Sequence, residues 1–434
     1  MLYDAYEISR GFFAGATAAA RIGSGWMSSF YNPLAYTQGA PLAAAALDVF
    51  AHAMRPRGKP AFGLAETIID GARVAIREEI TDRKPFGQLR HFVREGVESF
   101  DPTVLVVAPM SGHYATLLRG TVERLLPNHD VFITDWRDAK LAPLELGTFS
   151  LNDYVDYLID WIALLAARGE RPHVIAVCQP SVPAYVATTL MAAARHPGRP
   201  YTLTMMGGPV DTREAPTAVN RLAMERPLAW FEQNVITTVP MTYPGRGRRI
   251  YPGFLQLAGF MAMNLGNHMI SHWEMFKHLV EGDDESAEAT MRFYEEYLSV
   301  CDMDAHFYLQ TVDEVFQRHL LPKGEFIHRG IRVQPEAITD VALLAVEGER
   351  DDISGLGQTR AALTLARNLR ATKKDYFMVP GAGHYGIFNG RRWRDMVAPV
   401  VEDFIRRHGA RAPLHRPGPS LLPAADIPPG TEFA

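Results

Sequence analysis

Cys178 stands where an apolar run, His173-Val-Ile-Ala-Val, meets a stretch with helical spacing from Val182 to Ala194. A nucleophile on so tight a strand-to-helix turn projects above a sheet, and the N-terminus of the next helix supplies partial positive charge that stabilises a thiolate. Pro180 and Pro183 suit a first helical turn, where a missing amide hydrogen costs little. The usual turn of this kind carries glycine two residues before and two after the nucleophile, and here those positions are Ala176 and Pro180. A lone cysteine at a strand end is otherwise only a small buried hydrophobe, so its partners decide. Asp351 follows the run Ala342-LLAVEG, with Asp352 as the rival carboxylate, and His384 follows Lys374-DYFMVPGAG. A carboxylate that orients an imidazole, and an imidazole that takes a thiol proton, are the chemistry these types offer.

The order nucleophile, acid, histidine is that of α/β-hydrolases, whose fold is a mostly parallel sheet flanked by helices. Short apolar runs placed to form it begin at Thr103, Asp130, His173, Tyr201, Ala342 and Lys374, with helical spacing at Leu151 to Ala167 and Val182 to Ala194 between them. In such a fold the oxyanion-binding backbone amides are those of Gln179 and of Met110 or Ser111, in the loop after the first core strand. His113, in the same loop, is assigned to electrostatics and substrate binding rather than to base chemistry.

The alternation stops after Gly208-Pro209 and resumes near Asp340. This predicts a large, mainly helical lid insertion over 211–338, splitting the core into 99–210 and 339–409. Trp230, Phe231, Tyr251, Phe254 and Phe260 are its candidate cleft-lining aromatics. Cys301 falls in the helical pattern Glu285 to Leu320 and reads as structural, and Tyr243-PGRGRR, with no preceding strand and no GK[ST], reads as a lid loop. Residues 1–98 are predicted to form a helical N-terminal flank, including a helix near Glu66 to Arg77. The six prolines in 411–434 predict a mobile tail over 410–434.

Composition narrows the class. With 47% hydrophobic and 21% charged residues the chain can bury a large core, and a net charge of −5 gives no attraction for nucleic acid. Two cysteines without a zinc-type spacing imply no metal and a reducing compartment. Asp4 and Glu7 stand where an export signal would be basic, and no apolar run is long enough to span a membrane. Oligomeric state is not encoded in any of these features.

Beyond the three chemical residues, the chain resembles the intracellular poly(3-hydroxybutyrate) depolymerases of the α/β-hydrolase fold. The resemblance is carried by the opening MLYDAYE and by Lys84-Pro-Phe-Gly-Gln-Leu, Ala108-PMSGHYATLLR, Phe132-ITDWRDA, Val177-CQPSVP, Met205-MGGPVDTR, Ile250-YPGFLQLAGF, Val346-EGERDDISG and Gly383-HYGIFNGRRWR. It implies Cys178 as nucleophile, Asp351 as acid and His384 as base, in a carboxylic ester hydrolase that mobilises a storage polyester held in cytoplasmic granules; the thiol chemistry itself predicts an acyl-thioester intermediate and no cofactor, with water or CoA as the acyl acceptor. Two other readings of the same chemistry stand beside it: a polyester synthase-like acyltransferase and a catalytically silent granule-binding protein.

Overall fold

The computed structural model describes residues 2–27, 29, 31–33, 37, 39–97, 101–263 and 294–409. Its spine is a nine-stranded sheet, in spatial order β1-β2-β3-β5-β4-β6-β7-β13-β14. The strands are β1 (Glu66–Ile69), β2 (Ala72–Lys84), β3 (Gly87–Arg94), β4 (Thr103–Val107), β5 (Asp130–Trp136), β6 (His173–Val177), β7 (Thr202–Met206), β13 (Ala342–Gly348) and β14 (Lys374–Val379). From β5 to β14 neighbours run parallel, whereas β1, β2 and β3 join antiparallel. Val104 to Val107, Val174 to Val177 and Ala342 to Val346 are wholly buried, because helices cover both faces and such strands read as unbroken apolar runs. The swap of β4 and β5 in the order and the antiparallel start before an otherwise parallel sheet define the α/β-hydrolase sheet.

The predicted core strands all form. Helix α4 (Leu151–Ala166) begins with a Ser150/Asp153 capping box and buries Tyr154, Leu158, Trp161 and Leu165 at helical spacing. Helix α5 (Ser181–Ala193) is buried almost all round, as its run of small and apolar residues requires. In the N-terminal region α1 (Leu2–Met27) and α2 (Ala40–Met54) are helical, but the expected helix near Glu66 to Arg77 is a correction. That stretch is the β1–β2 hairpin. Asp70 (φ 50) and Gly71 (φ 82) turn the chain in two residues, pairing Ile69 with Ala72, and Val74, Ile76 and Ile80 alternate with polar neighbours. The flank is therefore helical only to Met54, and β2–β3 extend the main sheet.

The insertion after β7 carries α6 (Ala218–Glu225), α7 (Leu228–Asn234), α8 (Gly253–Met263) and α9 (Ala305–Thr311). Between them β8 (Thr237–Thr238), β9 (Arg249–Tyr251) and β10 (Met303–Asp304) form a small sheet, and β11 (Ile327–His328) and β12 (Ile331–Arg332) a hairpin. Arg248, buried, ties this insertion down: it donates to Ala142 O, Pro143 O and Gly147 O and pairs with Asp304 at 2.9 Å. Cys301 is not in a helix, contrary to expectation; it follows an isolated bridge from Val300 to His113 and its thiol donates to His113 O. Tyr243 to Arg248 form turns between β8 and β9. Residues 264–293 of the lid, the start of the Glu285 pattern, and the predicted tail 410–434 lie outside the described residues, as does the Phe260 side chain. No described helix is long and apolar enough to cross a membrane.

Candidate active site

Cys178 immediately follows β6 and adopts φ 67, a left-handed conformation uncommon for a residue with a Cβ and characteristic of strained functional turns. Two backbone bonds hold it there: Cys178 N donates to Met206 O at 2.7 Å, and Cys178 O accepts from Ser181 N at 3.0 Å. Pro180 sits at helical φ −58, ψ −15, so its ring begins α5 without sacrificing a hydrogen bond. The close approach is allowed by Gly208, where an added Cβ would lie 2.1 Å from the Ser181 side chain and 3.0 Å from Cys178 O. The glycine relief absent at Ala176 and Pro180 is thus supplied by the neighbouring strand end.

Asp351 lies in the turn after β13. Its Oδ1 accepts from Ile353 N (2.9 Å) and Ser354 N (2.8 Å), while Oδ2 meets His384 Nδ1 at 2.7 Å. Both side chains are almost sealed from solvent, and Asp352 is exposed instead. His384 opens a short turn after β14, its ring against Gly207, which has φ 61 and would place a Cβ 3.1 Å from the imidazole. With Nδ1 committed to Asp351, the ring still feels the Cys178 side chain, whose charge favours the protonated imidazole. Burial alone would weaken this base, but the Asp351 carboxylate and Cys178 outweigh it and raise the imidazole pKa well above its ordinary value. An avid proton acceptor, held by a buried carboxylate, thus lies beside the thiol.

Cys178 and Gln179 open into a cavity of about 370 Å³ whose wall also includes Met110, Ser111, Phe231 and Tyr251. The Gln179 N–H takes no backbone acceptor among the described residues, and Met110 N donates to the Gln179 side-chain oxygen at 3.3 Å. A carbonyl-type oxygen therefore already sits on one of the two amides expected to stabilise an oxyanion.

Three expected substrate contacts are corrected. His113 is 2% exposed, its Nε2 meets Tyr297 O at 3.1 Å, and burial lowers its pKa to about 4, so it is a neutral strut between the first core loop and the lid. Phe254 stacks on Tyr6 with ring centroids 4.0 Å apart and edge-on to Tyr3, anchoring α1. Trp230 packs on Phe231 and under Arg226, and does not line the cavity. Burial and facing, which decide all three, are not written in residue type.

Other residues belong to the site without having been expected. Glu347, inside β13 and 1% exposed, accepts from the amides of Gly357, Thr359 and Arg360 and from the Tyr376 hydroxyl, and so shapes the loop bearing Asp351. A carboxylate within an otherwise apolar strand was the available signal. Phe307, Tyr308 and Gln256 line the cavity from lid helices whose facing the sequence does not specify.

Sheet order and elbow together make this chain an α/β-hydrolase-fold protein. Residues 207–409, just under half of the chain, match the model of the family described as PHB de-polymerase C-terminus, in line with the resemblance carried by the motifs in that region. No curated protein matches the chain. Among solved structures it is similar to a soluble variant of monoglyceride lipase from Saccharomyces cerevisiae, with 12% identity and a TM-score of 0.44 over 79% of this chain and 98% of that one. It is also similar to a thermophilic esterase from Thermogutta terrifontis (13%, 0.39, 80% and 98%). A third is 2-hydroxy-6-oxo-6-phenylhexa-2,4-dienoate hydrolase from Rhodococcus sp. strain RHA1 (15%, 0.41, 77% and 99%). The class follows from this chain's own topology and turn rather than from these distant likenesses.

Proposed function

We propose that the protein is a carboxylic ester hydrolase that depolymerises a poly(3-hydroxyalkanoate) storage polyester, working on granules in the cytoplasm. The observation that carries this reading is the strained Cys178 in the wall of an apolar cavity, within electrostatic reach of the His384–Asp351 pair, in a chain whose residues 207–409 match the PHB de-polymerase C-terminus family.

His384 takes the proton from the Cys178 thiol, and Sγ attacks the ester carbonyl carbon. The carbonyl oxygen becomes an oxyanion facing the backbone amides of Gln179 and Met110, once the Gln179 side chain has yielded its place on Met110. The C–O bond breaks, the imidazolium protonates the departing alkoxide, and the acyl group remains on Cys178 as a thioester. Water or the thiol of CoA then attacks, giving its proton to His384; the C–S bond breaks and the proton returns to Cys178. Asp351 holds the ring in register and stabilises its charged form throughout.

Amorphous polymer and hydroxybutyryl-CoA, offered separately to purified protein, test the reading. Release of soluble hydroxyacids or their CoA esters from the polymer, abolished by Cys178→Ala, is the expected result. Net polymer growth from the CoA ester would instead establish an acyltransferase, and an inactive parent that still adsorbs to polymer would establish a binding protein.

A further inference from the structure

Among the described residues, one acceptor in the cavity wall has no partner. Gln256, on α8, lines the same cavity as Cys178, and its side-chain oxygen is buried with no hydrogen bond, whereas the Gln179 side-chain oxygen in that cavity is satisfied by Met110 N. Buried polar atoms are almost always paired, so an orphan in a ligand cavity marks where a ligand donor belongs. Its place is fixed: the amide packs on Gly112 (φ 85), where an added Cβ would lie 3.0 Å from the Gln256 oxygen. Gly112 adjoins Ser111 and Met110, the loop that faces the reacting carbonyl.

A polyester of 3-hydroxyacyl units has few donors to offer. Internal units carry only ester oxygens, and the carboxyl end is ionised and accepts. The sole donor is the hydroxyl at the opposite end, and it sits β to the first ester carbonyl. An acceptor beside the oxyanion loop is therefore placed for a β-hydroxyl and for nothing inside the chain. We propose, resting on the depolymerase reading, that Gln256 is a specificity-determining residue that accepts a hydrogen bond from the β-hydroxyl of the hydroxyl-terminal unit, so that the enzyme removes units from that end. The acyl group on Cys178 is then a single 3-hydroxyacyl unit with its hydroxyl held by Gln256.

The test uses soluble trimers of 3-hydroxybutyrate: one with both ends free, one acetylated on the hydroxyl, and one methyl-esterified on the carboxyl. The parent should cleave the free and methyl-esterified trimers alike and the acetylated one at least ~10-fold more slowly in kcat/KM, since a site built to bind a hydroxyl discriminates strongly against its loss. Gln256→Leu should bring the ratio of free to acetylated trimer to about 1, while Gln256→Glu, which keeps an acceptor, should preserve it. An equal rate on the acetylated trimer, or an unchanged ratio in Gln256→Leu, overturns the inference and leaves the depolymerase reading intact. If the parent hydrolyses p-nitrophenyl butyrate but none of the trimers, the polyester reading itself falls and this inference with it. The parent's own ratio decides the matter should a variant fail to fold.

Discussion

At the scale of single residues, the proposed mechanism has a thiol and an imidazole share a proton under the control of one carboxylate. Replacing Cys178 with alanine should lower kcat on any ester by ~10³-fold or more, because members of such a unit fail together. Asp351→Asn should cost on the order of 10²- to 10⁴-fold in kcat by releasing the imidazole from its orientation and tautomer, whereas Asp352→Asn, at the exposed neighbour, should stay within about twofold of the parent. Because the His384 pKa is raised on folding, its pairing contributes stability fully below the ordinary imidazole value of about 6.5 and loses it as pH rises through the raised value. Urea midpoints of parent and Asp351→Asn should therefore differ most in mildly acidic buffer and converge in alkaline buffer; a gap that widens with pH would contradict this. The placement of Cys178, Asp351 and His384 was legible because each follows a strand in a fixed chain order. His113 was misread because a histidine's type says nothing of whether its ring faces a cleft or, as here, a carbonyl of Tyr297.

Elements position those residues through buried polar ties that sequence periodicity does not reveal. Glu347 gathers three amides and a hydroxyl around the end of β13. Glu347→Ala leaves them without an acceptor and should destabilise the fold by on the order of 3 kcal/mol in urea unfolding. Since the same loop presents Asp351, Glu347→Ala should also lower kcat more than it raises KM. Arg248→Met strips the Asp304 carboxylate of its buried partner and frees three carbonyls, and should cost about 3–5 kcal/mol. The core strands were plain in the sequence because strands buried on both faces are unbroken apolar runs. The β1–β2 hairpin was plain too, in hindsight: Asp70-Gly71 between alternating runs is a two-residue hairpin signal, but the charged, half-exposed β2 also tolerates a helical reading. Lid helices were recognisable as helices, yet which face meets the cavity depends on packing against β8–β10 and so could not separate Phe231 and Tyr251 from Trp230 and Phe254.

Across the whole molecule the sheet serves both stability and chemistry, since the edge that presents Cys178, Asp351 and His384 is continuous with the core that buries β4, β6 and β13. That core also shelters His113 and His173, whose pKa values burial lowers to about 4 and about 3. Groups neutral when folded but protonated when unfolded take stability away as pH falls, so loss should begin below about pH 6.5 and continue to about pH 4 and about pH 3, at up to about 1.4 kcal/mol per pH unit for each ring. Urea unfolding between pH 8 and 4 checks the slope, and His173→Gln should make it shallower. The central claim is that the acyl group passes through the sulfur of Cys178. Mass spectrometry of acid-quenched turnover with a 3-hydroxybutyrate oligomer tests it directly. A hydroxyacyl adduct on the peptide containing Cys178 is predicted; an adduct on Ser111 or Ser181, or undiminished turnover by a protein lacking this thiol, would contradict it.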